Sequence, residues 1–180
     1  MSIFDRCTLS TLAVVLLVAS PVLAEPGPEL GEPVSAEEVA KWDISIAPDG
    51  ATLPPGRGDA ERGAHVYHQH CRRCHGGGAR GGEKFADALA GGIDSLAGDK
   101  PVKTIASYWP YATTIFDYVR RAMPYDRPMS LSNDDVYAVT AYLLSLNGII
   151  KDGQVMDADS LPGVKMPNRD GFLLYWPEPN

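Results

Sequence analysis

Two cysteines, Cys71 and Cys74, stand three positions apart, and the second is followed at once by His75. The chain holds 3 cysteines; the other, Cys7, lies ahead of an apolar stretch that reads as part of an export signal, so it is expected to leave with that signal. The remaining pair is too close in sequence to act as an ordinary structural staple and needs another use. A structural zinc site requires four ligands, and a lone C-x-x-C with one histidine lacks the second pair. His65, His68 and His70 lie just upstream on the same expected helix, where they cannot complete a tetrahedron and are expected on the solvent-exposed surface. A thioredoxin-like dithiol needs a βαβ context, which the surrounding residues do not offer.

The pentapeptide Cys71-Arg72-Arg73-Cys74-His75 matches the remaining use of this spacing, covalent attachment of haem c. Two thiols three positions apart on a helical turn face the same way, so both can add to the vinyl groups along one porphyrin edge. The adjoining histidine then comes beneath the ring, within reach of the iron. The expected cofactor is therefore one covalent haem c with Cys71 and Cys74 as thioethers and His75 as an axial ligand. Methionine or histidine usually occupies the other side, and methionine raises the reduction potential. Met123 is favoured, since it ends an expected helix, is followed by Pro124 and lies far enough along the chain to cross to the distal face. Met129, in the same loop, is the runner-up. Met156 and Met166 are further thioethers, and Met166 could reach the iron only if the C-terminal arm folded over the haem. Packing in the core is the competing use for any of them.

The organisation around this motif follows from breakers and helix signals. Residues 1–24 read as a signal peptide: Arg6 precedes the apolar run Leu9–Ala19, and Pro21, Val22 and Ala24 follow with small residues where a signal peptidase cuts. An uncleaved membrane anchor is the competing reading, but the run is shorter than the ~20 residues a bilayer span prefers and Pro21 interrupts its end, so cleavage after Ala24 is favoured and no membrane attachment is expected afterwards. Export implies a periplasmic location. The 15 prolines and 18 glycines of the 180 residues concentrate in loops and extended segments. Residues 25–57 form a proline-rich N-terminal arm with a short helix at Ser35–Trp42, where Ser35 can cap and Glu38 can reach back. Residues 58–148 form the compact domain, and 149–180 a C-terminal arm with turns at Asp152-Gly153, Pro162-Gly163 and Asp170-Gly171. Within the domain three helices are expected. The first, about Asp59–Arg73, lines up Gly63, Tyr67 and Cys71. The second, about Tyr111–Arg121, has Pro110 in its first turn and buries Ile115, Phe116 and Val119. The third opens on Ser132 with Asp134 and Asp135 in its first turn and stops at Asn147-Gly148. No segment alternates as a strand, so the fold class is all-α.

These features resemble a class I cytochrome c. Gly63 and Tyr67 on the first helix, with Val139 and Tyr142 on the last, resemble the crossing of terminal helices that defines that fold, and Gly76 directly after the motif also fits. The family commonly has a proline in the next loop whose carbonyl orients the proximal histidine. Here the loop is Gly77-Gly78-Ala79-Arg80-Gly81-Gly82, with no proline until Pro101, so another backbone carbonyl is expected to fix the tautomer of His75. The stretches AEEVAKWDISIAPDGATLPPGRG, PVKTIASYWPYATTIFDYVRRAMPYDRPMSL, DDVYAVTAYLLSLNGII and VKMPNRDGF resemble the cytochrome subunit of sulfur dehydrogenase (SoxD), especially its N-terminal haem domain. Similar stretches occur in cytochromes paired with molybdenum sulfite dehydrogenases. The resemblance implies that the methionine of Ala122-Met123-Pro124 is the distal ligand. It also places Trp109 and Tyr111 near the haem edge, where either could donate to a propionate or simply pack as core. Arg120 and Arg121 could neutralise a propionate, but complementing the helix C-terminus is the favoured use. The subunit often has a second haem domain, whereas this chain has one C-x-x-C-H.

A net charge of −7 argues against nucleic acid, which calls for a basic stripe, and suits docking onto a basic patch of a redox partner. The expected function is single-electron transfer from a molybdenum-containing dehydrogenase subunit in sulfur-compound oxidation to a downstream cytochrome or oxidase, with no catalysis by this chain. A haem enzyme acting on sulfur compounds through an open or labile sixth position is the alternative. It needs a vacant site or a distal cysteine, and no cysteine follows Cys74.

Overall fold

A computed structural model describes residues 30–82 and 86–173. The expected signal peptide, with Cys7, and the last seven residues lie outside the described residues. The chain divides into two compact units, Met1–Ser35 and Ala36–Asn180. In the first, residues 30–35 are exposed and non-helical.

The second unit is helical, as expected. Helix α1, Ala36–Trp42, buries none of its residues; its Glu38 accepts from Lys41 and from the Trp42 indole. Helix α2, Ala60–His70, starts at Asp59, whose side chain accepts from the Arg62 N–H, and ends at Cys71. A short helix α3, Arg72–His75, follows directly. The single expected helix is thus divided at Cys71, which caps the end of α2 and the start of α3. Helix α4 runs Ala112–Ala122 with Tyr111 as N-cap, which puts Pro110 one residue before the cap rather than in the first turn. Helix α5, Asn133–Leu146, is capped by the Ser132 hydroxyl accepting from Asp135 N–H, while that hydroxyl donates to the Asp135 carboxylate at 2.6 Å. Burial opposes ionisation of Asp135, but the bonds from Ser132 and Arg62 outweigh it and hold the carboxyl below its usual range. Arg62 reaches Asp135 at 2.8 Å, which ties the first turn of α2 to that of α5.

The close contact between α2 and α5 organises the unit. A Cβ on Gly63 would come within 2.0 Å of the Ala138 carbonyl oxygen and 2.6 Å of Tyr142 Cβ, so only glycine lets these helices approach so closely. Beside this point the Tyr67 and Tyr142 rings pack at 5.3 Å between centroids. The Tyr67 hydroxyl donates to Gly76 O at 2.8 Å, and burial pushes its phenol up to about 12, which keeps it a donor. Helix α4 packs its Phe116 ring 4.4 Å from that of Tyr137 on α5. The core is completed by Ile115, Val136, Val139, Leu143 and Leu144.

Within the second unit, residues 44–54 and 156–168 lie against this frame. Asp117, buried on α4, accepts from the Ile46 N–H at 3.0 Å and also pairs with Arg121. Arg120 donates to Ile44 O, Thr113 to Pro48 O and Tyr137 to Pro54 O. The C-terminal segment then returns: Met156–Asp157 forms strand β2, antiparallel to β1 at Arg57–Gly58, with Gly58 opposite Met156. This two-stranded pair has no alternating run behind it, which is why periodicity did not foretell it. Met156, Leu161 and Met166 are buried beneath, and Asn168 donates to Tyr108 O at 2.7 Å.

Replacing Gly63 by valine in the haem-loaded protein is expected to lower stability by roughly 1–3 kcal/mol, the cost of forcing side-chain atoms into a packed contact. Urea unfolding followed by circular dichroism reads it; an unchanged midpoint would show that the helices do not meet there.

Candidate functional site

The division at Cys71 shapes the attachment turn. The N–H groups of Cys74 and His75 both donate to Cys71 O, at 3.1 and 3.0 Å, and Gly76 N–H donates to Arg72 O at 2.9 Å. One tight turn therefore carries both thiols and the imidazole. Cys71 and Cys74 are half-buried and not joined to each other. Burial, with Cys74 nearby, pushes the Cys71 thiol up to about 11. Such surroundings disfavour a thiolate, the species a metal would require, and accept an uncharged thioether without that penalty.

After His75 the chain folds straight back. Gly81 N–H donates to His75 O at 3.0 Å, and a Cβ on Gly82 would lie 2.0 Å from Cys74 O. The return brings Asp87 O to 3.2 Å from His75 Nδ1. An Nδ1–H donating to that carbonyl leaves the Nε2 lone pair available to a metal and fixes the ring's orientation. The loop without a proline thus still supplies a backbone partner. Being a carbonyl rather than a side chain, Asp87 O had no signature in the sequence.

His75 opens onto a cleft of about 300 Å³. Its walls include Leu89, Ile105, Trp109, Ile115, Val119 and Leu143, and Met123 lines the same space from the C-cap of α4. Imidazole and thioether thus reach one apolar cleft from different elements. Cys71 and Cys74 are on the same turn as His75 but not in the cleft lining; apolar walls, an oriented imidazole and two free thiols on its turn fit a covalently tethered porphyrin. The other methionines lie elsewhere: Met129 is 61% exposed, and Met156 and Met166 are 0% and 1% exposed in the core. The C-terminal arm does not bring Met166 to the cleft lining.

Of the aromatic candidates, Trp109 lines the cleft, with its ring 5.6 Å from that of Tyr118 in an edge contact. Tyr111 caps α4 and lies under the Arg169 guanidinium at 4.4 Å, away from the cleft lining. Arg120 and Arg121 are held by Ile44 O and Asp117 and do not line the cleft either. His65 and His68 are exposed; His68 meets Arg72 at 2.7 Å, and His70 meets Arg127 at 3.4 Å. Lys103 and Tyr118 also line the cleft, and neither was singled out by sequence. Tyr118 follows the i, i+3 spacing from Ile115 on α4, a signal that was there to be read. Among the described residues no cluster of acidic, histidine and cysteine side chains could hold a separate metal ion, and no helix is long and apolar enough to cross a membrane.

Comparison with known proteins agrees with this geometry. The family model for cytochrome c matches residues 60–147, which run from the start of α2 to the residue after α5. Among solved structures, the chain is similar to a chain of the sulfane dehydrogenase SoxCD from Paracoccus pantotrophus, at 43% identity and a TM-score of 0.75, over 81% of this chain and 71% of that one. No curated protein gives a significant match. An attachment turn, an apolar cleft and this degree of likeness together lead to one conclusion: the chain belongs to the cytochrome c family and is an electron-transfer protein that carries a covalently attached haem c.

Proposed function

We propose that this chain is a periplasmic electron shuttle whose haem is bound through Cys71 and Cys74 and ligated by His75 Nε2 and Met123 Sδ. One observation carries the reading. His75 and Met123 line the same apolar cleft, whereas Met129, Met156 and Met166 are exposed or committed to the core. The group supplies one-electron exchange between ferric and ferrous iron. The chain's own part is to hold the two ligands, keep the imidazole turned by Asp87 O and keep water from the ring with Ile115, Val119 and Leu143. With His75 and Met123 both holding the group, no site would be left for a substrate, and the chain would pass electrons without transforming a sulfur compound itself.

The likeness to a chain of a sulfane dehydrogenase supports a molybdenum-containing dehydrogenase subunit as donor, with a further cytochrome or an oxidase as acceptor. Residues 1–24 would direct export and be removed. The arms at 25–57 and 149–180 flank the haem domain at 58–148. The described parts of those arms within the second unit hydrogen-bond to α4, to α5 or to the Tyr108 loop.

Met123→Ala should lower the reduction potential and abolish the weak sulfur-to-iron charge-transfer band of the ferric protein, while Met129→Ala leaves both intact. The reverse result would move the distal ligand to Met129. A molybdenum-containing subunit should co-purify with the chain from its native host, and recovery of the chain by itself under gentle conditions would count against the proposed donor.

A further inference from the structure

The cleft has a single cationic side chain of lysine or arginine type at its wall. Among its lining residues the charged side chains are Lys103 and Asp87, apart from the imidazole of His75. A bound haem presents two propionates, and these need cationic or hydrogen-bonding partners where the ring leaves the protein. No arginine lines the cleft, and Arg120 and Arg121 are held by a carbonyl and by Asp117. Lys103 differs. Its Nζ lies 5.1 Å from the centre of the Tyr108 ring, and it makes no ion pair with Asp87 or any other described carboxylate.

The backbone on both sides of Lys103 is well anchored. Val102 N–H donates to the Ser95 hydroxyl at 3.0 Å, and Val102 O accepts from Ser107 at 2.6 Å. Thr104 N–H donates to the Ser107 hydroxyl at 2.9 Å, and the Thr104 hydroxyl donates to Gly91 O at 2.7 Å. The lysine stem therefore leaves from a fixed point, and the Tyr108 face steadies its charged end without neutralising it.

We infer that Lys103 is a cofactor-positioning residue, its ammonium pairing with a haem propionate and raising the reduction potential. The inference rests on reading the cleft as the haem site. A cation beside the group favours the ferrous state, which carries one positive charge fewer, and it offsets the propionate charge that would favour the ferric state. Both effects act in the same direction. Lysine 103 is exposed, so water screens the pair and its loss should leave the fold and haem attachment intact.

The test is spectroelectrochemistry of the holoprotein with Lys103→Gln, Lys103→Arg and Lys100→Gln. Lys100 is also exposed but does not line the cleft. Lys103→Gln should lower the potential and shift the propionate bending band in resonance Raman spectra, with the ferric charge-transfer band unchanged. Lys103→Arg and Lys100→Gln should both match the wild type. An unchanged potential in Lys103→Gln, or an equal fall in Lys100→Gln, would overturn the inference. A wild-type protein lacking the sulfur-to-iron band would instead undo the ligand assignment, so the two failures are distinct.

Discussion

The approach of α2 to α5 at Gly63 is the constraint on which the remaining structure depends. A backbone carbonyl, Ala138 O, fills the space that any side chain at position 63 would need. Two helices held at that spacing fix how α2 lies against α5, and so where the Cys71–His75 turn that follows it is placed. They also set the position along α5 of Leu143, which walls the cleft. Tyr67 extends the same contact by packing at a tilt against Tyr142 and donating to Gly76 O, which reaches the first residue after the attachment motif. Packing and cofactor site are therefore one arrangement: the helix that makes the crossing leads directly into the turn that carries the thiols.

The site is built by backbone as much as by side chains. Free carbonyl and N–H groups in a turn must find partners, and here those partners do specific work. Cys71 O gathers the N–H groups of Cys74 and His75 into one turn, and Asp87 O orients the imidazole. Helix α4 contributes twice, with Ile115 and Val119 along its length and Met123 at its C-cap. Its buried Asp117 meanwhile fastens the incoming arm through Ile46. The arms thus brace the helix that carries the proposed distal ligand.

Much of this was legible in the sequence, for reasons that can be named. The five-residue motif carries its own geometry, so the tethering group could be read directly. Ser132 with Asp135, and Asn147 with Gly148, mark the ends of α5 because end groups need local partners; the helix runs between them, Asn133–Leu146. Three features were not legible. The division between α2 and α3 at Cys71 falls at no proline, glycine or side-chain cap that would have marked it. The pairing of Arg57–Gly58 with Met156–Asp157 is a contact between distant segments too short to alternate. Asp87 O and Lys103 reach the cleft through loop paths that only the folded chain reveals.

The account stands on one porphyrin tethered through sulfur to Cys71 and Cys74. Mass spectrometry of the protein, exported, matured and then fully denatured, tests that most directly. The account predicts the mass of the polypeptide plus one haem, with the added mass located on a peptide spanning Cys71–His75. A polypeptide mass without haem, from a sample matured with a functioning attachment system, would contradict it.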